Sequence, residues 1–244
     1  MPGALEEKIA IVTGASRGIG AATAHLFAQE GARVVLASRN EAELSKMAEE
    51  ENRQWGQSQA LAVPTDVSDE TQVKHLFEIT KANFGPLDIL VNNAGVVEVR
   101  DFVAMDLETW EKVISTNLRG SFLCSREAFC QMIASGKGGA IVNMTSLGGV
   151  RGPEKFKGLS AYVVSKYGVL GLTDILAVEG KSYGIRVNSI APGAVDTSML
   201  KKGAAFLRTK TGPHDIAKTI LFLADDRQSG HISGANIEIF SNET

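Results

Sequence analysis

The chain has 244 residues and 44% hydrophobic content, which is enough to bury a substantial core. A formal net charge of −3 gives no general attraction to nucleic acid or to an anionic membrane surface. The N-terminal residues lack a signal-peptide pattern, no run approaches membrane-spanning length, and the two cysteines and four histidines show no metal-binding spacing. We therefore expect one cytoplasmic domain over residues 1–244, without a metal and without nucleic-acid or membrane partners.

Short apolar runs alternate with stretches of helical spacing, which is typical of an α/β protein. The predicted strands are 9–12, 32–38, 59–63, 87–91, 140–144, 185–190 and 235–240. The predicted helices are 19–30, 41–52, 69–84, 106–135 and 161–183, followed by a last helix with Pro213 at its first position. No linker of distinct composition interrupts the alternation, so a single domain is expected.

A glycine-rich turn, residues 13–20, joins the first strand to the first helix. Such a turn directs free backbone N–H groups and the positive end of the helix dipole at one point, which suits a phosphate. Glycine is required because a Cβ would block the turn or hold the ligand away. The turn therefore predicts a dinucleotide site, with a tight turn that binds no ligand as the alternative. The residues assigned to the site are Gly14, Ser16, Arg17, Gly18, Ile19 and Gly20.

The end of the second strand predicts which dinucleotide binds. An acidic side chain there bonds the ribose 2′-hydroxyl of NAD, whereas basic groups receive the 2′-phosphate of NADP. This chain has Ser38 followed by Arg39, and Arg17 in the glycine-rich turn can reach the same phosphate. We predict NADP(H) as the cofactor, and solvated loop arginines are the alternative.

The glycine-rich turn resembles the cofactor loop of the short-chain dehydrogenase/reductase family, and four further motifs of that family follow in order. The resemblance extends over residues 8–240. It implies a single Rossmann-type α/β domain, in which a doubly wound, seven-stranded parallel sheet has helices on both faces. It also implies a homo-oligomer, a dimer or tetramer, formed through the long helices at 106–135 and 161–183.

Two stretches after the third and fourth strands resemble the family's adenine pocket and cofactor groove. The Asp66 carboxylate, beside Val67, would accept a hydrogen bond from the adenine amino group. The alternative is that Asp66 caps the next helix, although Ser68 or Asp69 is better placed. Asparagines at a strand end bond their neighbours and tolerate unusual backbone angles, so the second stretch is expected to line the groove, with a plain surface turn as the alternative. The residues of that stretch are Asn92, Asn93, Ala94 and Gly95.

Asn117 interrupts the apolar stripe of the long helix at 106–135. A buried amide costs stability unless its hydrogen bonds are satisfied. The position of Asn117 resembles that of the helical asparagine that holds a water in the family's proton path. A core asparagine with satisfied hydrogen bonds is the alternative.

Tyr162 and Lys166 are one helical turn apart, so both side chains project from one face of a helix. A phenol with a pKa near ~10 must lose roughly two to three pKa units to exchange protons near neutrality. We expect the Lys166 ammonium and an oxidised nicotinamide to lower the pKa of Tyr162. By resemblance, Ser146 would hold the substrate oxygen, Tyr162 would donate the proton, and Lys166 would also bind the nicotinamide ribose. The resemblance implies reversible hydride transfer between NADP(H) and a carbonyl.

A Pro-Gly turn after the sixth strand is a turn signal in any protein. It also resembles the family's segment that seats the nicotinamide amide, to which Val195 would offer backbone groups. The residues that match this segment are Asn188, Pro192, Gly193, Val195 and Thr197.

Two segments, at about 147–160 and 194–212, correspond to the family's substrate loops and depart from its pattern. We hypothesise that they form a cleft mouth that attracts an anionic, carrier-linked carbonyl substrate, because only Glu154 and Asp196 oppose their basic residues. Solvated loop lysines are the alternative. The basic residues are Arg151, Lys155, Lys157, Lys201, Lys202, Arg208 and Lys210.

Three functions follow from these patterns. A 3-oxoacyl carrier-protein reductase is the leading resemblance, and a broad carbonyl, steroid or sugar reductase is close to it. A non-catalytic NADP-binding regulator belongs to a different class. Such a regulator would keep the glycine-rich turn but would not need Tyr162.

Overall fold

The computed structural model describes residues 3–56 and 59–241, so the ends of the expected domain and residues 57–58 lie outside the described part. The described residues form a single domain with a seven-stranded parallel sheet in the order β3-β2-β1-β4-β5-β6-β7. The fold predicted from the sequence is confirmed. The strands are β1 Ile9–Thr13, β2 Arg33–Ser38, β3 Ala60–Pro64, β4 Ile89–Asn92, β5 Gly139–Met144, β6 Ile185–Pro192 and β7 Asn236–Ile239.

The strand order changes direction at β1, which pairs with β2 on one side and with β4 on the other. The first three strands therefore build one half of the sheet outward, and the chain returns to the centre to build the second half. In a doubly wound sheet this reversal opens a crevice beyond the carboxyl ends of the strands. The segments that follow β1, β4, β5 and β6 are consequently brought to one edge.

Helices cover both faces of the sheet, so the strands are buried on both sides. Val12 of β1 packs in one apolar cluster with Phe27, and its neighbour Ile11 packs in the other with Leu76 and Leu123. Strands buried on both faces are continuous apolar runs, which explains why they could be predicted. The helices are α1 Gly18–Gln29, α2 Glu41–Trp55, α3 Glu70–Asn83, α4 Leu107–Ile114, α5 Gly120–Ser135, α6 Ser160–Gly180, α7 Ser198–Gly203, α8 Pro213–Ala224 and α9 Asp226–Ser229.

The prediction of one continuous helix over 106–135 is wrong, because the helix is interrupted near its middle. One turn of π-helix, Ser115–Arg119, joins α4 to α5. A π turn accommodates an extra residue, and such turns are frequent at functional sites. The sequence analysis also does not predict the two short helices α7 and α9.

The segment Ser160–Tyr183, α6 with its final 3-10 turn, is long enough to span a membrane and contains an 18-residue stretch with a mean hydropathy of 1.3, so it passes by length and composition alone. The expectation that no run approaches that length is therefore wrong. The inner face of α6 buries Val169 and Thr173 against the fold, while Ile175 and Val178 are exposed on its outer face. The helix is therefore apolar on two faces: the inner face packs against the fold, and the outer face is exposed.

Buried side-chain hydrogen bonds tie α6 to the centre of the sheet. Asn92 of β4 donates to the side-chain oxygen of Asn143 in β5, and Asn143 donates to the hydroxyl of Thr173 in α6, both at 2.9 Å. All three side chains are buried. Because a buried polar group without a partner is costly, these bonds fix the position of α6 relative to β4 and β5.

Replacement of Asn143 by leucine tests this connection. Asn143→Leu removes the acceptor for Asn92 and the donor for Thr173, so we expect the free energy of unfolding to fall by about 2 kcal/mol or more in urea denaturation. Asn83→Ala is the control, because the exposed Asn83 amide bonds only to the Ile79 carbonyl in its own helix. We expect it to change stability by no more than about 0.5 kcal/mol. Equal effects of the two substitutions would contradict the structural role of Asn143.

Candidate active site

The glycine-rich turn leaves backbone groups open at the start of α1. Gly14 and Gly18 have φ angles of 65° and 58°, in the left-handed region that favours glycine. A Cβ on Gly20 would collide with the carbonyl oxygen of Gly14. Within the described chain, Arg17 gives α1 no side-chain cap and the first turn of α1 contains no acidic residue. The free N–H groups and the helix dipole can therefore receive an anion, and a dinucleotide phosphate fits this cradle.

Asn93 joins the glycine-rich turn to the segment after β4. Its side-chain amide donates to the carbonyl oxygens of Thr13 at 2.8 Å and Gly14 at 3.2 Å. The Thr13 hydroxyl accepts from the backbone N–H groups of Asn93 and Ala94, each at 3.0 Å. These bonds hold the two walls of the crevice together. Thr13 begins the glycine-rich turn in the sequence, but the turn alone does not reveal that its hydroxyl bonds the segment after β4.

Arg39 and Asp66 lie side by side where β2 and β3 end. Nη1 of Arg39 is 4.0 Å from Oδ2 of Asp66, and the Arg39 side chain is 61% exposed. Oδ1 of Asp66 accepts from the N–H of Ser68 at 2.9 Å and from its hydroxyl at 2.7 Å. Asp69, rather than Asp66, caps α3. The capping alternative for Asp66 is therefore wrong.

Two of the other predicted cofactor residues already have contacts within the chain. The Ser38 hydroxyl accepts from the N–H of Asn40 at 3.2 Å. Val67 is buried, and a Cβ on Gly120 would lie 2.7 Å from its Cγ2. In the glycine-rich turn, Ser16 and Ile19 are half-buried and Arg17 is exposed.

Tyr162, Ser146 and Lys166 meet where α6 faces the end of β5. Tyr162 is hydrogen-bonded to the Ser146 side chain, whose Oγ also accepts from the N–H of Gly148 at 3.1 Å. The Lys166 ammonium donates to the carbonyl oxygen of Met144 at 2.7 Å and lies 5.7 Å from the centre of the Tyr162 ring. The structure thus brings the predicted hydroxyl, phenol and ammonium together.

Burial governs the protonation of this group. It raises the pKa of the Tyr162 phenol, and the hydrogen bond with Ser146 opposes that rise without cancelling it. Burial also lowers the pKa of the Lys166 ammonium to about 8. The direction for Tyr162 is opposite to the one expected from the sequence, because the loss of water around a phenolate dominates. In the protein alone, the phenol is therefore protonated near neutral pH.

Asn117 lies on the π turn, and its amide is bonded to protein groups. Its Oδ1 accepts from the N–H of Val96 at 2.8 Å, and its Nδ2 donates to the Val96 carbonyl and to the Ser165 hydroxyl, both at 3.0 Å. A Cβ on Gly95 would lie 3.4 Å from Oδ1 of Asn117 and 3.7 Å from Nζ of Lys166. Asn117 therefore joins the segment after β4 to α6, directly beside the lysine. Val96 and Ser165 have no sequence signal for this role.

The segment after β6 faces the glycine-rich turn through Thr197. A Cβ on Gly18 would lie 3.5 Å from Cγ2 of Thr197, whose hydroxyl caps α7. Gly193 donates from its N–H to the Ile239 carbonyl at 2.9 Å, which continues the pairing of Pro192 with β7. Val195 is buried, and its carbonyl accepts from the Thr197 hydroxyl.

The side chain of Asn188, which matches the same family segment, bonds away from the turn after β6. Its Oδ1 accepts from the N–H of Ala235 at 2.9 Å, and its Nδ2 donates to the Ile232 carbonyl at 2.8 Å. Both bonds hold the chain before β7. The residue lies within β6 rather than at its carboxyl end, and sequence proximity to Pro192 concealed that difference.

The basic residues of the substrate loops are opposed by more acids than expected. Lys157 pairs with Asp101 at 2.9 Å and Lys202 pairs with Glu98 at 2.9 Å, in addition to Lys201 with Asp196 at 3.7 Å. The expectation that only Glu154 and Asp196 oppose them is wrong, because the fold brings in acids from the segment after β4. Nothing in the local sequence of the loops reveals these partners.

The Lys155 ammonium is held within its own loop. It donates to the carbonyl oxygens of Leu147, Val150 and Pro153 at 3.0, 2.6 and 2.8 Å. Leu147, the first of these residues, directly follows Ser146. Among residues 3–56 and 59–241, no group of three or more His, Cys, Asp or Glu side chains is placed to hold a metal ion.

Comparisons with known proteins give the family. A family model described as short chain dehydrogenase matches residues 8–207. The chain is 38% identical to trans-4-hydroxycyclohexanecarboxylate dehydrogenase of Sinomonas cyclohexanicum, over 98% of this chain and 93% of that protein. It is 36% identical to a 3-oxoacyl acyl-carrier-protein reductase of Thermotoga maritima, over 96% and 97%. A crystal structure of a short-chain type dehydrogenase/reductase from Mycobacterium marinum has a TM-score of 0.90 and 32% identity, covering 96% of this chain and 94% of that one. The chain belongs to the short-chain dehydrogenase/reductase family.

Proposed function

We propose that this oxidoreductase interconverts a carbonyl and an alcohol with NADP(H). The convergence of Ser146, Tyr162 and Lys166, at the same edge of the sheet as the glycine-rich turn, carries the proposal. These side chains offer a hydrogen-bond donor for the substrate oxygen, a transferable proton and a nearby positive charge. When bound, the nicotinamide cofactor supplies or accepts the hydride.

Each residue has its own role in the reducing direction. Ser146 donates a hydrogen bond to the substrate oxygen, and Tyr162 gives that oxygen a proton. The raised pKa of Tyr162 keeps the phenol protonated, as a donor must be. The Lys166 ammonium then stabilises the phenolate that remains. Asn117 is a positioning residue, because its amide holds Val96 and Ser165 in place beside the lysine.

The cofactor is proposed to be NADP(H) because of two arginines. Arg39 follows Ser38 at the end of β2, where an acid would favour NAD, and Arg17 is exposed on the glycine-rich turn. Both guanidinium groups are available for bidentate contacts with a 2′-phosphate. The loose 4.0 Å pair with Asp66 keeps Arg39 at the adenine end.

Two substrate classes are candidates, a carrier-linked 3-oxoacyl group and a free cyclic ketone or alcohol. The acyl-carrier-protein reductase among the relatives supports the first, and the hydroxycyclohexanecarboxylate dehydrogenase supports the second. Lys155, Lys157 and Lys202 are bonded to oxygen atoms of this chain, which weakens the attraction of the cleft mouth for an anionic carrier. The free cyclic substrate is therefore the better candidate.

Self-association is proposed to use the outer face of α6. Val164, Tyr167, Ile175 and Val178 recur at helical spacing on α6 and are exposed. A continuous apolar stripe of this kind is typical of a surface that another subunit covers. We propose a homodimer or homotetramer, and a cytoplasmic location in which Cys124 and Cys130 stay reduced.

Tyr162→Phe separates an enzyme from a non-catalytic NADP-binding regulator. We expect the rate of NADPH oxidation with a responsive carbonyl substrate to fall at least about a hundredfold, because the proton donor is lost. NADPH binding, followed by fluorescence, should remain. Tyr167→Phe is the matched control, since it removes an exposed phenol one position after Lys166, and it should retain turnover. Wild-type turnover by Tyr162→Phe would contradict the assignment.

Arg39→Leu tests the choice of cofactor. We expect the Kd for NADPH to rise about tenfold and the Kd for NADH to change by no more than about twofold, because only NADPH loses a charge-assisted hydrogen bond. Calorimetric titration measures both constants. Arg53→Leu, at an exposed position in the last turn of α2, should alter neither. A wild-type protein that binds NADH as tightly as NADPH would rule out the NADP(H) proposal.

A further inference from the structure

The two substrate loops meet through one aromatic contact. The rings of Phe156, between β5 and α6, and Phe206, between α7 and α8, have centroids 5.1 Å apart and planes inclined by 79°. This edge-to-face arrangement is the favoured geometry for an aromatic pair. Phe206 is nevertheless 65% exposed, so much of its ring is still accessible.

Both loops are fastened to the segment after β4. On one side, Lys157 pairs with Asp101, and the Gly158 carbonyl accepts from the N–H of Arg100 at 3.0 Å. On the other side, Lys202 pairs with Glu98. Because both loops are bonded to the same segment, their separation is fixed, and the two phenylalanines contact each other between the loops.

The loop with Phe156 begins at the proposed reaction centre. A Cβ on Gly148 would lie 3.5 Å from Oγ of Ser146 and 3.8 Å from Cε1 of Tyr162, so this turn borders both groups. The Lys155 ammonium bonds three carbonyls of the same loop, which directs its charge inward immediately before Phe156. The ring of Phe156 therefore sits on a loop of fixed shape.

The other loop also carries an exposed apolar side chain on α7. Met199 of α7 is 38% exposed, and α7 packs against Val97, whose Cγ2 lies 3.2 Å from a Cβ on Gly203. The lysines of α7 are paired with carboxylates, Lys201 with Asp196 and Lys202 with Glu98. The exposed parts of Met199 and Phe206 give this loop accessible carbon surface that a ligand can contact.

We propose that Phe156 and Phe206 form a specificity-determining aromatic pair that selects substrates with an apolar ring next to the carbonyl. A ring fills the space beside the exposed face of Phe206 and gains contact area, whereas a short open-chain ketone reaches neither phenylalanine. The inference rests on the proposed function, which it deepens by naming the recognised substrate group.

The test compares the binding of cyclohexanone and acetone to the NADP⁺-loaded protein by NMR titration. The wild type should prefer cyclohexanone, and Phe206→Ala should reduce the ratio of the two Kd values about tenfold. Phe206→Tyr retains the ring and should retain the ratio. Phe156→Ala should reduce the ratio as Phe206→Ala does. The double variant should reduce the ratio little more than either single variant, because the two rings act as a pair.

Parallel assays of NADPH oxidation distinguish a failure of the aromatic pair from a failure of the proposed function. Turnover by the wild type with an unchanged ratio in Phe206→Ala would overturn the aromatic pair and leave the proposed function standing. A ratio that falls in Phe206→Ala, in a protein that oxidises no NADPH, would support the pair and reject the function. A wild type without preference for the ring, or strictly additive effects of the two alanines, would overturn the inference.

Discussion

The site depends on one ammonium group that is held away from water. Lys166 is buried on α6 and bonded to the Met144 carbonyl, beside the ring of Tyr162. Burial of an isolated charge is costly, so the chain must either pair the group or let its pKa fall. Both happen here, because the ammonium has a carbonyl partner and its pKa falls to about 8. The group can therefore change its charge within a range of pH that a cell reaches, next to a phenol that stays protonated.

This arrangement requires that α6 be fixed against the sheet along its length. Asn143 and Thr173 fix its middle, and Asn117 with Ser165 fixes the turn that carries Lys166. All four are polar side chains within the fold, where an apolar residue would pack without setting a register. The same principle operates at the crevice, where amides and hydroxyls connect segments that are distant in sequence. Buried polar bonds therefore supply the position of the reactive groups, while the apolar layers supply the stability of the sheet.

The sequence predicted the parts of the protein that local patterns encode. Seven apolar runs, the glycine-rich turn and the spacing of Tyr162 and Lys166 all depend on neighbours within a few positions. The errors involve contacts between distant segments. The π turn exists where Asn117 reaches Val96, and the partners of Lys202 and Lys157 come from another connection. The direction of the Tyr162 pKa depends on how deeply the folded chain buries the phenol, which helical spacing alone cannot give.

The protonation of Lys166 tests the central claim most directly. Lysine labelled with carbon-13 at Cε can be followed by NMR across a pH titration of the folded protein, and the Lys166 signal is identified by its absence in Lys166→Arg. The account predicts a midpoint near pH 8, well below the ordinary lysine value of 10.5. A signal that titrates at the ordinary value would contradict the claim that burial governs the charge of this ammonium.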